Sequence, residues 1–208
     1  MVYNLNPYDI NTAFESVVAQ YCGSKYAISV DSCTNALLLC FSYSFRDVKK
    51  PVVTLPKRTY VGVAQAVLNA GGKIKWNDWG WEGFYDLYPY RIIDCARYFC
   101  KDMYKKIVAL QPQLICLSFH WTKGLKIGKA GMILTDDKDA AYQLRKMRYD
   151  GRTERVHPRD DKFVRGFHCY LSPELAARGL LLMQNPKDVY PDTEPYTYGD
   201  LSLQEIFK

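Results

Sequence analysis

Short apolar runs alternate with helix-period segments along this chain, and that alternation predicts an α/β fold, a sheet covered by helices. From Asp9 to Tyr21, residues Ile10, Phe14, Val17, Val18 and Tyr21 fall on one helical face. Cys22-Gly23-Ser24 closes that helix, Gly23 suiting a left-handed position past its end. Tyr26 to Val30 reads as a strand that runs into the polar Asp31-Ser32-Cys33-Thr34 and then a helix from Asn35 to about Phe45. Pro51 to Leu55 is the next strand. Lys57-Arg58-Thr59 turns it into a helix from Tyr60 to Ala70, which Gly71-Gly72 stops before a short strand at Lys73 to Trp76.

Residues 77–90 mix Trp, Tyr and Gly without a period and receive no assignment. Arg91 to Asp94 is a strand ending in an acid, and Met103 to Leu110 a helix before Pro112. Leu114 to Ser118 is continuously apolar, as a strand buried on both faces of a parallel sheet would be. Ala130 to Thr135 is another strand and Asp137 to Arg148 a helix, with a charged, exposed loop from Gly151 to Arg165. Ser172 caps a helix from Pro173 to Met183. The segment Asn185 to Asp200, rich in Pro and Tyr, reads as an arm leaving the core, with a last short helix from Leu201 to Phe207. The expected division is therefore a main domain over residues 1–184 and a C-terminal arm over 185–208.

Composition narrows the chemistry. Of the 208 residues, 48% are hydrophobic, enough for a sizeable core, and no apolar run is long enough to span a bilayer. The N-terminus lacks the basic-then-apolar order of a signal peptide, so a soluble cytoplasmic protein is expected. Seven cysteines stand apart from one another, without CxxC pairs, and read as reduced, buried small hydrophobes. With three histidines and no ligand spacing, no metal site is expected. The net charge of +6 is spread along the chain, which argues against a nucleic-acid interface and for some attraction to phosphorylated substrates.

Polar residues recur just beyond the apolar strands, and in an open sheet the carboxyl ends of parallel strands line one crevice. Cys33 and Thr34 sit where a strand turns into a helix, a place for an anion or simply for a cap. Asp94 follows two residues that should be buried, so its carboxylate needs a partner unless it serves as a cap or surface acid. Lys123 comes five residues after Ser118, and a nucleophilic lysine there would need a desolvated surrounding, for which Phe119, Trp121 and nearby Lys126 are candidates. Tyr60 can lie against an aromatic ring or pack in the core.

Taken in order, these segments resemble one family. Phe14-Glu15, then Tyr21-Cys22-Gly23-Ser24-Lys25-Tyr26-Ala27 and Ser32-Cys33-Thr34-Asn35-Ala36-Leu37 are similar to the opening of the DegT/DnrJ/StrS sugar aminotransferases. Ile93-Asp94-Cys95-Ala96, the run from Ser118 to Lys123 and the run from Leu144 to Gly151 match it as well, and Gly166 to Ser172 looks like its dimer-contact motif. The resemblance runs from about Phe14 to Met183. It implies the large domain of a type I pyridoxal-phosphate (PLP) transferase, a mostly parallel sheet flanked by helices, with active sites near a homodimer interface. It implies Lys123 as the imine lysine, Asp94 as partner of the pyridine nitrogen, Tyr60 as the ring-stacking residue, and Cys33, Thr34 and Ser118 as phosphate-binding positions. The implied reaction moves an amino group from an amino acid, glutamate foremost, to a keto-sugar or nucleotide-linked keto-sugar. A related dehydratase branch carries His in place of the lysine, so Lys123 points to transamination.

The chain also departs from that pattern. Cys33 stands where members usually have Gly, and Arg97 where a Gln or His commonly contacts the cofactor's ring hydroxyl. His168 replaces an Asn that reaches the phosphate from the partner subunit, Tyr170 replaces an Arg, and Gly128-Lys129-Ala130-Gly131 is a weakened Gly-rich motif. A strand–helix unit between Trp76 and Arg91, a helix before Phe14 and the small C-terminal domain are expected to be missing. These departures motivate the alternative expectation, a degenerate member acting as a binding or partner subunit.

Overall fold

The computed structural model describes residues 6–108, 113–192 and 197–208. In chain order the elements are α1 (Asp9–Cys22), β1 (Tyr26–Val30), α2 (Cys33–Ser44), β2 (Val52–Pro56), α3 (Val61–Asn69), β3 (Lys73–Asn77), β4 (Tyr85–Leu87), β5 (Ile92–Cys95), β6 (Phe99–Cys100), α4 (Met103–Ile107), β7 (Leu114–Ser118), β8 (Gly131–Thr135), α5 (Lys138–Arg148), α6 (Pro173–Leu182) and β9 (Val189–Tyr190). Short polar side chains start three helices by accepting orphan backbone N–H groups. Ser32 takes Asn35 N at α2, Asp137 takes Asp139 and Ala140 N at α5, and Ser172 takes Leu175 N at α6, with Pro173 in the first turn. Gly23 ends α1 at φ 80°, a conformation nearly closed to residues with a Cβ.

The central sheet has the order β1-β8-β7-β5-β4. Strands β5 and β7 pair in parallel, β8 runs antiparallel to both β7 and β1, and β4 runs antiparallel to β5. Strands β1, β5 and β7 therefore share one direction, and their carboxyl ends meet at one edge. A second, two-stranded parallel sheet is formed by β2 and β3. Because side chains alternate across a strand, the sheet divides the core in two. Ile28, Val30, Ile92, Cys116 and Ile133 face α2, α3 and α5, whereas Ala27, Ile93, Ile115, Leu117, Met132 and Leu134 face α1, α4 and α6. Each large apolar side chain buried this way contributes about 1.5–3 kcal/mol.

Three segments differ from what the sequence suggests. Residues 77–90 contain β4, whose buried-exposed-buried pattern at Tyr85, Asp86 and Leu87 is the period of a half-covered strand. The segment after Asn185 does not leave the core: β9 pairs with β6, matching Tyr190 to Phe99, and the Tyr190 ring is buried against Tyr21 and Phe99. Burying a tyrosine ring offsets the cost of ordering a proline-rich segment, which composition alone had marked as an arm. The last helix is two 3-10 turns, Leu201–Leu203 and Glu205–Phe207, with the Phe207 ring packed edge-on to Trp76. The expected extension of α4 to Leu110 falls partly outside the described residues.

A charged network ties the layers together beneath the sheet edge. Glu15 of α1 is buried and accepts hydrogen bonds from Ser29 N and Ser29 Oγ, both at 2.9 Å, and from Arg148 and Arg145 of α5. Arg148, also buried, reaches Glu154 at 2.9 Å and Ser29 O at 2.8 Å.

Candidate active site

The sheet register decides which side chains meet. Gly131, first residue of β8, lies between Val30 of β1 and Ser118 of β7. Asp94 of β5 lies beside Cys116 of β7, two residues before Ser118, so Asp94 and Ser118 rise from the same face at neighbouring strand ends. Beyond Val30 the chain enters the first turn of α2 through Ser32 and Cys33. A Cβ at Gly131 would lie 2.6 Å from Cys33 N and closer still to the Ser32 carbonyl carbon, so only glycine lets β8 approach the start of α2 this closely. Gly62 plays a similar part in α3: a Cβ there would lie 2.6 Å from the Tyr60 ring and 2.7 Å from Thr34 Oγ1.

These approaches enclose a cleft of about 440 Å³. Of the eight residues singled out from the sequence, Cys33, Thr34, Tyr60, Asp94, Arg97, Ser118 and Lys123 line it. His168 does not. It is exposed, with Nδ1 3.1 Å from both Asp150 carboxylate oxygens, and the sequence reading had it approach from a second subunit. Thr59, Trp81, His120, Lys129 and Tyr198 also line the cleft.

Asp94 is 5% exposed, and its two oxygens have different partners. Oδ1 accepts Ala96 N at 2.9 Å and Oδ2 accepts the Tyr85 hydroxyl at 3.0 Å. Burial pushes this carboxyl above the ordinary carboxylate value, while the two hydrogen bonds and the Lys123 charge pull the other way. Burial, helped by the Asp94 charge, holds the Cys33 thiol well above its usual value, so it is a neutral wall. At the mouth, Lys129 Nζ lies 2.9 Å from Asp31, whose other oxygen takes Asn35 Nδ2 at 2.6 Å.

Two expectations about the surroundings of Lys123 are corrected. Phe119 points away from the cleft and is fully buried against the rings of Phe14 and Phe99. Trp121 is 66% exposed and does not line the cleft. Alternation explains the first, since Phe119 follows Ser118 onto the opposite face of the sheet. Arg97 lines the cleft but forms an ion pair with Asp192 from the segment after β9. All seven cysteines are free and buried, and no cluster of metal-ligating residues occurs among the described residues. No helix among them is long and apolar enough to cross a membrane.

The sequence alone gives no role to Tyr85 or Tyr198, and Thr59 stands out in it only as one of the polar residues just beyond a strand. The two-residue period of β4 was the available signal for Tyr85, set in a stretch whose Trp and Gly content hid it. Thr59 is 2% exposed and stands 2.5 Å from the Tyr85 hydroxyl. Tyr198 stacks on Trp81, with centroids 5.9 Å apart.

Comparison with known proteins identifies the family and the fold. The chain is 23% identical to a UDP-4-amino-4,6-dideoxy-N-acetyl-beta-L-altrosamine transaminase from Campylobacter jejuni, over 80% of this chain and 54% of that protein. The chain thus spans about half the length of the curated relatives it matches. Among solved structures, it superposes on the sugar aminotransferase CalS13 from Micromonospora echinospora with a TM-score of 0.68 at 18% identity, covering 85% of this chain and 60% of that one. It superposes on PseC of Helicobacter pylori, an aminotransferase involved in the biosynthesis of pseudoaminic acid, with a TM-score of 0.65 at 17% identity, covering 84% and 57%. Likeness at that identity speaks for a shared fold. The family model for DegT/DnrJ/EryC1/StrS aminotransferases matches residues 4–79 and 90–188, and the chain belongs to that family.

Proposed function

We propose that this chain carries the cofactor site of a PLP-dependent aminotransferase that moves an amino group from an amino acid, glutamate foremost, to a nucleotide-linked keto-sugar. The observation that carries this reading is the joint placement of the Asp94 carboxylate, the Lys123 amine and the start of α2 around one cleft. The residues fit the cofactor. The first-turn amides of α2, with Thr34 and Ser118, offer donors for a phosphate at a helix N-terminus, and Gly131 leaves room for the backbone there. Asp94, buried and fixed on both oxygens, would hold a protonated ring nitrogen. Tyr60 supplies an aromatic face.

When bound, PLP supplies an electron sink that makes a substrate's C–H bond acidic. The chain's own part is to orient and to move protons. Lys123 Nζ would carry the cofactor between turnovers and then take and return the proton at the substrate carbon. The low-dielectric floor around Asp94 strengthens its hold on a cation.

Adding PLP to the purified protein should produce a visible absorbance band. Borohydride should then fix the cofactor on the peptide containing Lys123, as read by mass spectrometry. No band at saturating PLP would remove the reading. A second reading, a binding or partner subunit with weak cofactor affinity, is favoured by the Arg97–Asp192 pair, which occupies a side chain expected to face the cofactor. Amino transfer from glutamate to a nucleotide keto-sugar would eliminate it. A homodimer is part of the proposal, and sedimentation velocity tests it.

A further inference from the structure

We infer that Tyr85, backed by Thr59, is a positioning residue that holds the Asp94 carboxylate ionised and aimed into the cleft. The inference deepens the proposed function, because it concerns the residue that would meet the ring nitrogen. Three polar side chains from three elements are buried in a row: Thr59 between β2 and α3, Tyr85 on β4 and Asp94 on β5, with exposures of 2%, 6% and 5%. The separations are 2.5 Å from Thr59 to Tyr85 and 3.0 Å from Tyr85 to Asp94. Each hydroxyl has one proton. If Tyr85 gives its proton to Asp94 Oδ2, its oxygen must accept from Thr59, so the chain of donors points at the carboxylate. A neutral Asp94 could instead donate to Tyr85 and reverse the row, and it would accept the Tyr85 hydroxyl more weakly than the anion does. The row of donors therefore favours the ionised form of Asp94.

The fold keeps Tyr85 in this role. Antiparallel pairing sets Tyr85 opposite Asp94, and the strand period places Asp86 outside. The Trp81 ring lies 4.7 Å from the Tyr85 ring, and its indole N–H is anchored on Arg58 O at 2.8 Å. A phenol donating to a buried anion makes a charge-assisted bond, stronger than a neutral one.

The duller account is that Tyr85 merely satisfies its own hydroxyl in the core. The two accounts differ in pH dependence. Asp94 has its carboxyl raised in the folded state, so stability falls as pH rises from the ordinary carboxylate value to the folded one, then levels. Tyr85→Phe removes a donor and extends that window upward, so the stability gap between wild type and variant should widen with pH and then plateau. Loss of packing alone gives a constant gap. Other groups that act electrostatically with Asp94 include Cys33 on α2, Cys95 on β5, Cys116 on β7, Lys123 after β7 and Tyr198, and Arg97, His120 and Lys129 line the same cleft. Burial keeps the three thiols well above their usual value and raises Tyr198, so none of these four ionises in the range used.

The experiment is urea unfolding of wild type, Tyr85→Phe and Thr59→Val from pH 4.5 to 8, each without PLP, alongside PLP titrations by absorbance. A hydrogen bond to a charged group corresponds to an upward shift of about one to two pH units in the Asp94 midpoint and about ten- to a hundredfold weaker PLP binding for Tyr85→Phe. Thr59→Val should move both readouts the same way by less, and it carries the test if Tyr85→Phe does not fold. A parallel gap with unchanged PLP affinity overturns the inference and leaves the proposed function standing. A widening gap in a protein that binds no PLP supports the hold of Tyr85 on Asp94 and overturns the cofactor reading.

Discussion

Replacing Glu15 with Gln tests whether the buried network beneath the cleft stabilises the sheet edge that carries the site. The Glu15 and Arg148 side chains are 4% and 3% exposed, so neither charge is screened by solvent. Gln keeps an acceptor for Ser29 N but removes the charge that faces Arg148. Breaking a buried pair costs about 3–5 kcal/mol, and the low end applies here because Arg148 keeps Glu154 and Ser29 O. Arg145 is 38% exposed on its side chain and adds little. The expected loss at pH 7 is about 3 kcal/mol, or roughly 6–12 °C in Tm. Burial would raise the Glu15 carboxyl, but Arg148, Arg145 and Ser29 outweigh it and hold it below its ordinary value. A depressed carboxyl contributes fully above its unfolded value and loses its contribution as pH falls through the folded one. The gap between wild type and Gln variant should therefore stay flat from pH 8 to about 5 and narrow below about 4. Urea unfolding followed by circular dichroism measures it. A loss under about 1 kcal/mol at pH 7, or a gap that grows on acidification, would refute the reasoning.

Gly131→Ala should cost about 1–3 kcal/mol, because the new methyl meets the backbone of Ser32 and Cys33, and it should weaken PLP binding as well as lower Tm; thermal unfolding beside a PLP titration reads the two. Phe119→Ala should lose about 3–5 kcal/mol, whereas Trp121→Ala should stay within about 0.5 kcal/mol, and urea unfolding that reversed this ranking would contradict their placement. Ser172→Ala removes the cap of α6 and should cost about 1 kcal/mol by the same measurement, with Ser172→Asp restoring most of it.

Elements with a clear period were legible in the sequence. The single apolar face of α1 and the run from Leu114 to Ser118 needed no tertiary information, and the caps at Ser32 and Ser172 are local hydrogen bonds. Seven of the eight site candidates share a cleft because strand-end position is itself a sequence feature. What escaped depends on contacts between distant segments. Tyr85 matters only because β4 pairs with β5, and Tyr190 is buried only because β9 finds β6. The directions of Phe119 and Trp121 do not follow from closeness to Lys123 along the chain. Strand alternation turns Phe119 away from the cleft, and Trp121 lies in the turn beyond β7.

The same alternation explains why so small an assembly can hold the site. Asp94 faces the cleft while its neighbours Ile93 and Cys95 face α1 and α4 on the other side of the sheet. A slip of β5 by one residue against β7 would turn Asp94 into that apolar layer and put Cys95 at the cleft floor. An unpaired carboxylate among Phe14, Ile115 and Leu117 would be far costlier than the arrangement observed, where Ala96 N and Tyr85 each serve one oxygen. The register that the core prefers is therefore the one that presents the acid. The Thr59–Tyr85 pair adds a second reason, since its donors have a buried acceptor only in that register. Core packing and cleft chemistry select the same strand pairing, so the position of Asp94 follows from the central sheet and the β4 hairpin, elements that lie within this chain.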